Sequence, residues 1–99
     1  MPPRELLWTP GAIQQLAELI ARREDRVGIR RCVEQHLLAV AGDVETAAQR
    51  WEGPIEPVWL YRFRCEDRKD GKVVSVHIQA ELEVSDHIVA VLACGAIPL

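Results

Sequence analysis

The stretch VWLYRFRCEDRKDGKVVSVHIQAELEV, Val58 to Val84, decides the architecture. In its second half the apolar residues Val74, Val76, Ile78, Ala80 and Leu82 take every second position, with Ser75, His77, Gln79 and Glu81 between them. A period of two is that of a strand with one face in a core and the other in water. Asp70-Gly71 stands just before it. Glycine enters the positive-φ region without steric cost and aspartate can bond its own backbone, so the pair predicts a turn. Val58–Glu66 is therefore expected to fold back antiparallel onto Lys72–Leu82. In the first arm Trp59, Tyr61, Phe63 and Cys65 share one parity, and Val58, Leu60, Arg62 and Arg64 share the other. The aromatics make the better core, which leaves Arg62 and Arg64 on the same open face as Ser75, His77, Gln79 and Glu81. After Ser85-Asp86 the run His87–Cys94 is apolar at nearly every position, as for a third strand covered on both sides or by a partner.

Working back toward the start, Glu5–Trp8 is a short apolar run that ends at Thr9-Pro10-Gly11, which fits an edge strand leading into a helix. Thr9 can cap that helix with Pro10 at its first position. From Ala12 to Arg23 the residues Ile13, Leu16, Ala17 and Ile20 recur at helical spacing. Asp25 predicts a cap for a second helix, Arg26–Ala41, whose buried stripe is Ile29, Val33, Leu37 and Val40, and Gly42 is placed to end it as a C′ glycine. Asp43 is expected to cap a short third helix over Val44–Trp51, before Gly53-Pro54 and Pro57 force an extended crossing. Met1-Pro2-Pro3 predicts a disordered start, because proline bars both helix and ladder there. The fold class is thus α+β: a two-layer sandwich with an N-terminal strand, two helices plus a short third, then three antiparallel strands.

Ninety-nine residues, 48% hydrophobic and 27% charged, describe a single domain over residues 1–99. A net charge of −3 weighs against a phosphate backbone, so nucleic acid is not the expected partner. Cys32, Cys65 and Cys94 are widely spaced, odd in number and set in apolar surroundings, which predicts buried free thiols in a reducing cytosol. The chain opens on no signal-peptide pattern and contains no apolar run near the about 18 residues needed to span a bilayer. The expected setting is the cytoplasm, away from a membrane.

Three segments carry a family resemblance: ELLWTPGAIQQLAEL near the start, LYRFRCE in the first hairpin arm, and VLACGA near the end. In that order they resemble the opening strand, Ser/Thr-Pro step and first helix, the "YRYRVG"-like strand, and the "VLHGAR"-like closing strand of the RelE/ParE superfamily of toxin–antitoxin toxins. The resemblance implies a toxin-like component of such a pair, with an antitoxin-like protein as partner. It also implies two activities, ribosome-dependent messenger RNA cleavage or gyrase inhibition. The chain departs from both patterns at its end, where Cys94-Gly95-Ala96-Ile97-Pro98-Leu99 holds no general acid, general base or cation, and Ile97 stands where the gyrase-directed branch has an arginine. Each missing acid or base costs about 10²–10⁴ in rate. Protein binding is therefore the expected mode of action, with an endoribonuclease and a non-enzymatic dimeric scaffold as alternatives.

The candidate residues follow from these faces. Arg62, Arg64, His77 and Glu81 are the candidates for an acid/base or phosphate-recognising site, since guanidinium forks and an imidazole can bind anions and exchange protons. The opposing reading is a solvated face with cross-strand ion pairs of Arg64 with Glu81 or Glu66. Glu66–Asp70 is read as a solvated hairpin tip, His36 as a partly buried packing residue, and His87 as solvated. No close-spaced ligand pair marks a metal, and no cofactor is implied. Trp51 is the candidate interface anchor. Ile88, Ala90, Leu92 and Cys94 on one parity and Val89, Val91 and Ala93 on the other cannot both face one helix layer. Trp51, Ile88, Ala90, Val91 and Leu92 are accordingly the expected partner-binding residues, in a homodimer or a heterocomplex.

Overall fold

Asp70 and Gly71 both take positive φ, 52° and 76°, and between them reverse the chain in two residues. The twist of such a turn matches that of the strands it joins. The computed structural model describes residues 4–52 and 57–97. Their order is β1 (Glu5–Trp8), α1 (Pro10–Ala21), α2 (Arg26–Ala41), α3 (Val44–Ala47), β2 (Gln49–Glu52), β3 (Pro57–Lys69), β4 (Lys72–Val84) and β5 (Ile88–Ala96). One five-stranded sheet runs β1-β5-β4-β3-β2, with β1 parallel to β5 and every other pair antiparallel. The helices pack on one face of it, so the fold is an α+β two-layer sandwich. The expected disordered Met1-Pro2-Pro3 and the crossing at Gly53-Pro54 lie outside the described residues.

The β3–β4 hairpin pairs antiparallel as expected, with Phe63 opposite Ile78, Cys65 opposite Val76 and Arg64 opposite His77. It is longer than the turn signals suggested. Pairing continues through Asp67, Arg68 and Lys69, because Asp70-Gly71 alone closes the turn. Asp67 is accordingly buried, 3% exposed, in a stretch read as a solvated tip. Its carboxylate accepts hydrogen bonds from the backbone N–H groups of Asp25 (2.9 Å) and Arg68 (2.8 Å), which ties the α1–α2 turn to the end of β3.

Thr9 caps α1 as expected, its hydroxyl accepting from Ala12 N–H, and the same hydroxyl donates to the Val91 carbonyl at 2.7 Å. The buried stripe of α1 is Ala12, Leu16 and Ile20, rotated from the predicted one, so Ile13 is left 54% exposed. In α2 the predicted Ile29, Val33, Leu37 and Val40 are all buried, and the Asp25 carboxylate caps Gly28 N–H at 3.0 Å. A Cβ at Gly28 would overlap that carboxylate, so any larger residue there would make the cap shift. Gly42 ends α2 with φ −82°, a right-handed conformation, so the left-handed ending expected of a C′ glycine is not used.

Two readings are corrected. The third helix stops at Ala47, and Gln49–Glu52 is instead an edge strand that pairs Trp51 with Val58 and Gln49 with Leu60. Four residues form too little helix to resist the unpaired edge of β3, and Asp43 makes no side-chain cap. The cysteines are not three free thiols: Cys32 on α2 and Cys65 on β3 form a disulfide, with Cα atoms 6.1 Å apart, while Cys94 is free and buried. Sequence spacing cannot reveal that the fold stacks those two positions.

Truncating Asp67 strands two backbone N–H groups beneath the helices. Asp67→Ala is expected to lower the unfolding free energy by about 2–3 kcal/mol, measured by urea denaturation, whereas Asp67→Asn, which keeps an acceptor oxygen, is expected to lose less.

Candidate functional site

The sheet face turned away from the helices is made by alternate residues of each strand. Across its middle Gln79 stands between Gly95 and Arg62, and the Arg62 Nε donates to Gln79 Oε1 at 2.8 Å. One row away Arg64 is opposite His77; in the other direction Glu81 stands between Leu60 and Ala93. Arg62, Arg64, His77 and Glu81 thus share the open face, as the alternation predicts. Arg64 and His77 are a directly opposed pair with Arg62 one row along, but Glu81 does not join them: His77 and Glu81 are four residues apart on one strand, about 13 Å at 3.3 Å per residue. The predicted ion pairs of Arg64 with Glu81 or Glu66 do not form, and Arg62 is held by the neutral Gln79 amide. The ion pairs among the described residues are Arg4–Glu45 at 2.8 Å and Arg50–Glu52 at 3.5 Å. Hydrogen bonding to Arg4 holds the Glu45 carboxyl below its usual range and fastens the start of β1 to α3. Among the described residues no three His, Cys, Asp or Glu side chains gather closely enough to hold a metal ion.

A second polar cluster lies under α2. His36 Nδ1 is 2.8 Å from the Tyr61 hydroxyl, and its ring stacks on Phe63 with centroids 4.7 Å apart. Burial raises the Tyr61 phenol above its ordinary pKa. His36 is therefore the packing residue expected of it, one that joins helix to sheet, and His87 is exposed as expected.

The predicted partner-binding residues divide. Leu7 is opposite Ala90 and Glu5 opposite Ile88, so Leu7, Ile88 and Ala90 form an apolar patch on the open face, with Leu7 53% and Ile88 38% exposed. Trp51, 56% exposed, lies on the same face but at the far edge, separated from β5 by β3 and β4, about 14 Å at 4.8 Å per strand. Val91 is fully buried under the helices and is removed from the interface set. Val91 follows Val89 onto the core face by alternation, and just beyond it the register shifts: Glu81 pairs with Ala93 but Leu82 with Val91, so Leu92 is an extra residue in β5. The bulge resets the alternation. Val89, Val91 and Cys94 all point into the core, and the two fixed parities inferred from the sequence do not exist.

The same strand has an uncovered flank that the residue pattern did not disclose. β1 stops at Trp8, opposite Val91, because Thr9-Pro10 turns the chain into α1. Among the described residues no strand lies beside Leu92–Ala96 on that side. The Cys94 N–H points into the gap and is capped by Gln15 Oε1 at 2.8 Å, while Ile97 N–H bonds back to His77 of β4 at 2.8 Å. By alternation Ala96, like Cys94, directs its backbone groups outward. A shallow groove follows this flank, walled by Gln15, Glu18 and Leu19 of α1, by Arg22 just after it, and by Gly95 and Ala96, and it continues past Leu92. The one signal available beforehand was length: a four-residue β1 cannot cover a nine-residue β5.

No protein-family model matches this chain, and neither the curated proteins nor the solved structures contain a match.

Burial pushes the Cys94 thiol from 9.0 up to about 11. The folded state thereby favours the protonated thiol, so the stabilisation is full below pH 9 and is lost as pH rises through about 11; the raised Tyr61 phenol acts in the same direction. Urea midpoints measured from pH 8 to 11 are expected to fall, with about 2 kcal/mol lost to the thiol alone. Cys94→Val is expected to flatten that fall.

Proposed function

We propose that the chain is a toxin-like component of a toxin–antitoxin pair of RelE/ParE type, that it works in the cytoplasm by binding protein, and that an antitoxin-like partner adds an extended segment along the Leu92–Ala96 flank of β5. The observation that carries this reading is the unpaired run of sheet edge beside a groove. Exposed edge groups are a template for a further strand, which gains main-chain hydrogen bonds from the edge and specificity from the side chains that flank it. Folded proteins usually blunt such edges, and among the described residues the plug is one amide, Gln15, which a partner backbone can replace bond for bond. The Leu7, Ile88 and Ala90 patch adjoins the same strand and extends the area available to that partner. The RelE/ParE assignment is supported by the order of elements. The ELLWTPGAIQQLAEL segment supplies β1, the Thr9 cap and α1; LYRFRCE lies in β3 and VLACGA in β5. Binding is favoured over RNA cleavage because the closing segment Cys94–Leu99 carries no general acid, general base or cation, and Glu81 lies two rows away from the Arg64–His77 pair.

Induced expression distinguishes the alternatives. Growth arrest with intact transcripts is the expected outcome, relieved by co-expression of a small protein encoded beside the gene. Arrest with cleaved transcripts overturns the reading in favour of the endoribonuclease, and absence of both arrest and a neighbouring partner gene overturns it in favour of the scaffold. The docking edge has its own test, because the Ala96 N–H faces away from β4 and proline there leaves the β4–β5 ladder intact. Ala96→Pro is expected to keep the thermal midpoint within a few degrees and to weaken partner binding at least about tenfold by calorimetry, the cost of roughly one to two interfacial hydrogen bonds.

A further inference from the structure

We propose that the Cys32–Cys65 disulfide is a redox-operated clamp between α2 and β3, opened by an external dithiol that enters at Cys32. The inference stands apart from the partner reading above and rests on how the helix is held. α2 meets β3 through three successive ties. At its start the Asp67 carboxylate accepts the Asp25 N–H; in its second turn Cys32 is bonded to Cys65; one turn further His36 stacks on Phe63 and bonds the Tyr61 hydroxyl. The β3 members, Tyr61, Phe63, Cys65 and Asp67, are alternate residues of one strand, all on the helix side. The covalent tie is the middle one, so breaking it leaves the polar ties at either end to hold the helix without it.

The two sulfurs differ in access. Cys65 is 1% exposed, while Cys32, though packed against the core, is only partly buried and is the more accessible of the two. Exchange requires a thiolate to reach one sulfur and expel the other. Attack at Cys32 forms a mixed disulfide there, breaks the bond to Cys65, and releases Cys65 as a thiolate that takes up a proton. The second thiol of the reductant then attacks its own sulfur in the mixed disulfide and frees Cys32. Two electrons and two protons pass from the dithiol, which is left as a disulfide. Nothing inside the chain competes. Cys94 is buried on β5, separated from β3 by β4, and its thiol stays protonated up to about 11, so it supplies no thiolate to scramble the bridge. The remaining packing keeps the opened form folded, since Ile29, Val33 and Leu37 bury the helix stripe independently of the sulfurs. The opened form is therefore a folded protein whose α2 start is loosened.

The test uses the whole chain, equilibrated with buffers of reduced and oxidised glutathione and, separately, with excess dithiothreitol. Thiol alkylation read by mass spectrometry is expected to find only Cys94 unbonded in the oxidised protein, and to find Cys32 and Cys65 converted together, without denaturant, within the range of glutathione ratios. Amide exchange over Arg26–His36 is expected to quicken at least about tenfold in the reduced protein and to recover on reoxidation, with the thermal midpoint falling by about 10–20 °C. Cys32→Ser is expected to reproduce the reduced exchange profile with no reagent present; if that variant does not fold, the natural sequence in reductant decides alone. Three results overturn the proposal: both thiols alkylate in the air-oxidised protein, the bridge survives every glutathione ratio and yields only on unfolding, or reduction leaves exchange in α2 unchanged.

Discussion

Everything in this sheet hangs on the register of β3 against β4. A strand has a side-chain period of two, so slipping one arm by a single residue would carry Phe63 and Cys65 into water and drive Arg62 and Arg64 under the helices. Two left-handed residues, Asp70 and Gly71, prevent that slip by allowing the chain only one tight reversal. From that fixed register the rest follows outward: β5 pairs with β4, β1 with β5, and β2 with the start of β3. The helices pack on whichever face the register makes apolar, and the Asp67 carboxylate locks their turn to the end of the hairpin.

What could be read from residues alone were the features written locally. The alternation of Val76, Ile78, Ala80 and Leu82, the Thr9-Pro10 start of α1 and the Asp25 cap each announce themselves within a few residues, and all are realised. What escaped depends on contacts distant in sequence. Whether Gln49–Glu52 becomes helix or strand is decided by the availability of a β3 edge to pair with, which propensity in Val44–Trp51 does not reveal. The bulge at Leu92 leaves no mark in an apolar run such as HIVAVLAC, yet it decides that Cys94 is core and that Ala93, opposite Glu81, lies on the open face. The cysteine pairing likewise needs the α2–β3 stacking that only the assembled fold supplies.

The open face illustrates a limit of reasoning by parity. Parity correctly groups Arg62, Arg64, His77 and Glu81 on one side, but it does not bring Glu81 to the Arg64–His77 pair, because a strand separates i and i+4 by more than a substrate atom can bridge. The more specific feature is a backbone one. The side-chain pattern of β5 says nothing about which of its N–H and C=O groups lack a neighbour; that is set by where Thr9-Pro10 terminates a different strand at the other end of the sequence.

The parallel pairing of β1 with β5 also dictates an order of events during synthesis. Thr9 and the Val91 carbonyl that it bonds are 82 residues apart, so β1 leaves a ribosome well before β5 and waits for it before it can enter the sheet. Closing so long a loop is entropically costly and slow, whereas the β3–β4 hairpin and the α1–α2 pair need only near neighbours. β1 is thus a late arrival in the sheet despite being made before β5, and until it docks the whole of β5, not only its second half, is an open edge. The nascent chain is most prone to association during that interval, and the few residues of β1 end it.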